Sequence, residues 1–131
     1  VILLPDHAYK HPNTLKNSDE ERHRIPMIWI GGALNNTMKV DRLSSQIDLS
    51  KTLLKQLGID ASEYIFSKNI FGKDTPEFAF YAFNDGFGLI TPKGISIYDC
   101  GASVPLREDD PSLTLDGKAY LQSLFDDLNK R

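Results

Sequence analysis

Cysteine is almost missing from this 131-residue chain. Cys100 stands alone, so no internal disulfide is possible and no CxxC pair can hold zinc. Its place beside Asp99 predicts a small half-buried side chain at a strand end. A surplus of positive charge is also lacking. Fifteen basic side chains face 18 acidic ones, for a formal charge of -3, and without excess cations there is no counterion release to drive nucleic-acid binding. Nucleic-acid roles are excluded on that ground. Long hydrophobic runs are absent too: none approaches the roughly 18 residues of a membrane span, and residues 1–4 are too short for the apolar core of a signal peptide. The chain therefore reads as soluble. No internal repeat or low-complexity segment interrupts it.

What is present is enough for one ordinary domain, or one piece of one, since 40% of the residues are hydrophobic and a chain of this length can bury a core. Residues 1–4, Val1-Ile2-Leu3-Leu4, and residues 26–30, Pro26-Met27-Ile28-Trp29-Ile30, are continuous apolar runs. That pattern predicts strands of a parallel sheet covered on both faces. Pro5 ends the first and Gly31-Gly32 the second. Residues 8–24 between them form a long polar loop in which His11-Pro12-Asn13-Thr14 signals a turn and Asn17 to Glu21 a short capped helix. Residues 49–57 form the clearest helix, with Asp48 as N-cap, Leu49, Leu53, Leu54 and Leu57 at helical spacing, and Gly58 at an αL C-cap. Residues 61–68 are compatible with one more helical turn.

From residue 78 the pattern changes to antiparallel β-structure. Residues 78–83 are aromatic-rich, Asn84-Asp85-Gly86 is a hairpin turn, and residues 87–91 return along it. Pro92-Lys93-Gly94 turns into residues 95–99, which completes a three-stranded meander. Residues 101–115 read as irregular, with Asp109-Asp110-Pro111 as a breaker. Residues 116–131 read as a terminal helix with Tyr120, Leu121, Leu124, Phe125 and Leu128 along one face.

The chemistry-bearing feature is Asp6-His7 at the end of the first apolar run. One hard oxygen and one imidazole nitrogen at the edge of a sheet resemble half of a metal site. A catalytic centre needs at least one or two further ligands and a nucleophile or bound water, so the chain is expected to be the back part of a larger enzyme. His11 and His23 lie in the adjoining polar loop, each open to three uses: a further ligand, a contact to an anionic substrate, or a surface histidine. Lys10, Arg22 and Arg24 make the same loop locally cationic, which suits a phosphate or sulfate ester.

Three stretches then agree in order and spacing: Val1 to His7, Arg24-Ile25-Pro26-Met27-Ile28-Trp29, and Val40-Asp41-Arg42-Leu43-Ser44-Ser45-Gln46-Ile47-Asp48-Leu49-Ser50-Lys51-Thr52-Leu53-Leu54-Lys55-Gln56-Leu57-Gly58. Together they resemble the C-terminal part of the alkaline phosphatase superfamily, in its branch of sulfatase-like phosphoglycerol transferases related to lipoteichoic acid synthase. The likeness covers residues 1–60 well and the remainder in general layout. It implies an α/β fold, the C-terminal portion of an αβα sandwich carrying a small antiparallel meander and a C-terminal helix, with residues 1–76 in the α/β core part and 77–131 forming the meander and helix.

The same resemblance implies Asp6 and His7 as ligands of a divalent metal, Mn or Zn by member, with Ca or Mg also compatible with one oxygen and one nitrogen donor. His11, His23 and Arg24 become candidate contacts to an anionic ester substrate. The catalytic nucleophile of that family lies far upstream, so no catalytic residue is assigned here, and Cys100 matches no nucleophile position. Ala8 stands where the family commonly has glycine. The implied partners are the substrate and the N-terminal part of the same polypeptide, with no stable protein partner. The implied setting is a membrane-anchored parent whose catalytic domain lies outside the cytoplasm. Alternatives of another class are a non-catalytic α/β interaction module, in which Asp6 and His7 are ordinary surface residues, and a catalytically dead relative.

Overall fold

In a computed structural model of the protein, residues 1–8, 14–32 and 34–131 are described. The architecture is mixed α/β, with a two-stranded and a four-stranded sheet, both antiparallel, and a long C-terminal helix. Two compact units follow each other along the chain, Val1–Asp41 and Arg42–Arg131. Among the described residues no helix is long and apolar enough to cross a membrane.

In the first unit, β1 (Ile2–Leu3) pairs with β2 (Ile28–Trp29) in antiparallel register, Ile2 against Trp29 and Leu3 against Ile28. Val1 and Ile30 extend the ladder, Ile30 N donating to Val1 O at 2.9 Å and Val1 N to Ile30 O at 2.7 Å. The expectation of buried parallel strands is corrected here. Only two residues of each run enter the ladder, and Val1, Leu3, Ile28 and Ile30 remain 49–80% exposed. A continuous apolar run signals two covered faces only where a sheet lies on either side of it, and a two-stranded ribbon supplies no such cover. Between the strands, Glu20–His23 forms a short 3₁₀ turn with Asp19 at its start. Asp19 Oδ2 accepts from Lys16 N at 2.8 Å, and Arg22 Nη1 donates to Leu15 O at 3.2 Å. None of the described residues of this unit is fully buried.

The second unit holds the core: Ala61, Ile70, Phe87, Leu89, Ile97 and Leu113 are its buried apolar side chains. Helix α1 (Asp48–Gln56) ends as its sequence predicts. Gly58 adopts φ +70, Ile59 N donates to Leu54 O at 2.9 Å and Gly58 N to Lys55 O at 3.2 Å, the paired bonds of a Schellman motif. Its start differs from expectation. The N-cap is Ile47, with helical backbone and no side-chain cap, and Asp48 turns inward instead. The fully buried Asp48 carboxylate accepts from Ser45 N at 2.8 Å, Lys68 N at 2.7 Å and Lys68 Nζ at 2.5 Å. One turn later the buried Thr52 hydroxyl lies 2.6 Å from Asp48 O and accepts from Ile70 N at 3.0 Å. These bonds fasten the irregular segment after α1 to the helix. Within that segment residues 61–67 form two successive turns, Tyr64 N to Ala61 O and Ser67 N to Tyr64 O, rather than helix.

The meander is β3 (Ala79–Phe83), β4 (Gly86–Thr91), β5 (Gly94–Asp99) and β6 (Val104–Glu108), in that order across the sheet. Both tight hairpins fall where their turn residues predicted, Phe83 opposite Gly86 and Thr91 opposite Gly94. β6 was not expected, because Val104-Pro105-Leu106-Arg107-Glu108 is exposed at every position and carries no burial pattern. Cys100 is exposed in the turn after β5, not half-buried as expected.

Helix α2 (Pro111–Lys130) begins earlier than its apolar stripe implied. Asp110 is its N-cap, accepting from Ser112 N at 2.8 Å, with Pro111 at the first helical position. Asp-Pro here starts a helix rather than breaking one, since proline's missing N–H is harmless in a first turn. α2 covers the sheet face made by Phe80, Phe87 and Ser96. Tyr120 packs on Phe80 at 4.6 Å between ring centroids, and Thr114 Oγ1 meets Ser96 Oγ at 2.8 Å. Gly117 allows the close approach, because a Cβ there would overlap the Phe87 ring.

Candidate metal centre

The site begins with the end of β1. Pro5 has no N–H to donate, so the ladder stops after Leu3 and the chain bends through Asp6 and His7. Both side chains project into solvent, Asp6 91% and His7 74% exposed. Despite that freedom they face one another, with His7 Nε2 3.7 Å from Asp6 Oδ1. The other ring nitrogen is engaged: His7 Nδ1 lies 2.9 Å from the carbonyl oxygen of Ala8. Ala8 adopts no left-handed backbone, so this turn accommodates a side chain where the resemblance suggests glycine.

Oxygen and imidazole nitrogen are donor types that divalent ions accept. Bonds of roughly 2.0–2.2 Å from imidazole nitrogen and carboxylate oxygen together exceed the 3.7 Å separation, so one cation can reach both atoms. As a salt bridge the same pair contributes little, since exposed ion pairs are worth about 0–1 kcal/mol. Nothing in the fold of this unit hangs on it. Among the described residues no group of three or more His, Cys, Asp or Glu side chains gathers around a common point, so Asp6 and His7 form a two-donor arrangement.

The remaining candidates have separate surroundings. His11 and Lys10 lie outside the described residues. His23 is half-buried at the end of the 3₁₀ turn, and its Nε2 sits 2.8 Å from Asn17 O, a tie within the loop. Arg24 follows in extended backbone and is exposed, available to an anion.

Sequence reasoning missed the second unit's polar centre, Asp48 with Lys68 and Thr52. Lys68 is 11% exposed at its side chain and its ammonium also lies 3.9 Å from the Phe78 ring centroid. Twenty residues separate the two charges, and an Asp before a leucine-rich helix has the signature of an ordinary cap, so no local signal distinguishes it. Burial pushes the pKa of the neighbouring Tyr120 hydroxyl above its usual value, disfavouring its ionisation, and the Asp48 charge adds to that effect. A cleft of about 270 Å³ lined by Ile47, Tyr64, Phe66 and Arg131 opens elsewhere on this unit and contains none of the candidate residues. No family model, no curated protein and no solved structure matches this chain.

Proposed function

We propose that this chain is the C-terminal portion of a metal-dependent enzyme of the sulfatase and phosphoglycerol transferase type, acting on phosphate or sulfate esters, and that Asp6 and His7 supply two ligands of its divalent metal. The observation that carries the reading is the approach of His7 Nε2 to Asp6 Oδ1 at 3.7 Å on side chains free to turn away from each other. The ordered likeness of residues 1–60 to that family supports it. So does the apolar ribbon face of Val1, Leu3, Ile28 and Ile30, a surface suited to cover within an αβα sandwich. By the same resemblance the parent is membrane-anchored with its catalytic domain outside the cytoplasm.

The metal, Mn or Zn in the first place, would activate a hydroxyl nucleophile and absorb charge on the non-bridging oxygens of the ester. This chain's residues hold and orient. Asp6 contributes an anionic oxygen, and His7 a neutral imidazole nitrogen, the form required of a ligand. Arg24 and His23, with His11, are positioned in sequence to meet the anionic substrate.

Calorimetric titration with Zn²⁺ and Mn²⁺ tests the assignment. Binding is expected for the chain and lost in Asp6→Ala and His7→Ala. Equal heats from all three proteins would refute it. The isolated chain is expected to cleave a chromogenic phosphodiester no faster than buffer, because the nucleophile is assigned to residues upstream. A second reading, an interaction module, draws on the same exposed ribbon face and on the solvent exposure of Asp6 and His7. In that case no metal binds, and the titration separates the two.

A further inference from the structure

We infer that the cleft at the end of α2 binds a free α-amino acid with an apolar side chain, a ligand that carries both charges on one small body. The cleft measures about 270 Å³, at the small end of ligand sites. Its apolar walls are Ile47, just before α1, with Tyr64, Ile65 and Phe66 from the turns that follow the helix. Ile47, Tyr64 and Ile65 stand 42%, 48% and 63% exposed, so an apolar group that enters here takes apolar surface out of water. The walls are tied down by the fold itself. Phe66 sets its ring edge-on to Tyr120 of α2, with 5.8 Å between centroids, and its carbonyl oxygen accepts from the Tyr120 hydroxyl at 3.4 Å. Ser67 Oγ accepts from Lys51 N at 2.9 Å.

Three polar side chains line the same cleft, and each has capacity left. Arg131 spends Nε on Asp127 Oδ2 at 2.7 Å, which leaves its other guanidinium N–H groups for a carboxylate. Ser67 is 4% exposed, and its hydroxyl proton goes to no acceptor among the described residues. Glu63 joins no ion pair among the described residues. Asp127 first, and the Glu63 charge after it, raise the pKa of Arg131, so the opposite charges of the cleft sense each other without joining. A simple acid bound here would set its anion beside Glu63, and a simple amine would leave Arg131 and Ser67 unused. A zwitterion meets all three. Its carboxylate accepts from Arg131 and Ser67, its ammonium donates to Glu63, and its side chain lies on the apolar walls.

The test is an NMR titration of the ¹⁵N-labelled full chain with three probes of one shape: L-phenylalanine, hydrocinnamate, which lacks the ammonium, and phenethylamine, which lacks the carboxylate. Phenylalanine is expected to bind in the millimolar range, as suits a small ligand in an open cleft, and to shift the amides of the residues that line it. The other two probes should bind about two- to fivefold more weakly, the worth of one exposed charge pair. Two variants then remove one charge each. Glu63→Gln should bind phenylalanine no better than hydrocinnamate, and Arg131→Gln should bind it no better than phenethylamine. Both side chains are exposed, so the variants keep the native fold and their spectra outside the cleft stay unchanged. No binding of phenylalanine overturns the proposal, as do equal or tighter binding of either analogue by the native chain and shifts gathered away from the cleft. A preference for phenylalanine that survives both variants overturns it as well.

Discussion

Replacing Asp48 by alanine should unfold the second unit far more readily than any change at the candidate metal pair. The carboxylate is fully buried and holds three donors, Ser45 N, Lys68 N and Lys68 Nζ, at 2.8, 2.7 and 2.5 Å. Its removal leaves two backbone N–H groups without their partner, each costing about 1–3 kcal/mol when water cannot reach it. It also takes the counter-charge from the Lys68 ammonium, whose side chain is 11% exposed and which keeps the Phe78 carbonyl oxygen at 3.2 Å and the Phe78 ring. Breaking such a buried pair from one side costs about 3–5 kcal/mol, and the orphaned amides overlap with that figure rather than add to it. Against a typical domain stability of about 5–15 kcal/mol, the loss is a large fraction of the whole. In urea it should lower the midpoint by more than about 1 M. Lys68→Met should cost less, since the carboxylate retains both backbone donors. The double variant Asp48→Leu, Lys68→Met should recover only the part due to the unpaired ammonium, because Ser45 N and Lys68 N still lack their acceptor. An Asp48→Ala cost below about 1 kcal/mol, the range of exposed ion pairs, would refute the argument. Zn²⁺ titration of the same variant under folding conditions should be unchanged, since Asp48 belongs to the other unit.

Acid should destabilise the second unit through its turn carboxylates. Hydrogen bonds from Ser112 hold Asp110 below its ordinary 3.8, and those from Arg107 and Ile95 do the same for Asp109. A lowered carboxylate contributes fully above the unfolded value of 3.8 and loses that contribution as pH falls through the lower folded value. Thermal melts should therefore decline below about pH 4, and Asp110→Asn, which keeps a good N-cap without the charge, should flatten that decline. An identical acid limb in the variant would overturn the assignment. Gly117→Ala should destabilise by about 1–3 kcal/mol in urea titration, because the added methyl meets the fully buried Phe87 ring and overpacking outweighs the better helix propensity of alanine. A more stable variant would show that the ring can yield. β6 is an edge strand, and Pro105 and Arg107 are the residue types that keep such edges from pairing. Pro105→Thr with Arg107→Thr should shift the sedimentation profile toward dimers and larger species, and a monomeric variant would leave the edge-guard role without support.

The elements legible in the sequence were those specified by neighbouring residues. α1 closes at Gly58 because a positive φ and two backbone bonds are local events, and the hairpins at Asn84-Asp85 and Pro92-Lys93 follow from turn chemistry within four residues. The start of α2 was misread for the opposite reason. Asp110-Pro111 reads equally as a stop and as a cap, and only the helix that follows in space decides between them. β6 escaped notice because an exposed edge strand needs no apolar alternation: its hydrogen bonds come from β5, not from its own composition. At the candidate centre, the adjacency of Asp6 and His7 was visible as a dipeptide. Their facing orientation, and the engagement of Nδ1 by Ala8, depend on the bend after Pro5.

The sequence by itself determined which residues could carry chemistry and where the chain must turn, since side-chain identity, glycine and proline act over a few bonds. Only the tertiary structure decided that Asp48 is the buried anchor of Lys68 rather than a helix cap, and that the apolar runs at residues 1–4 and 26–30 pair with each other in antiparallel sense. Those outcomes depend on which distant groups share the space around a residue, and burial and electrostatic pairing are properties of that shared space rather than of the residue.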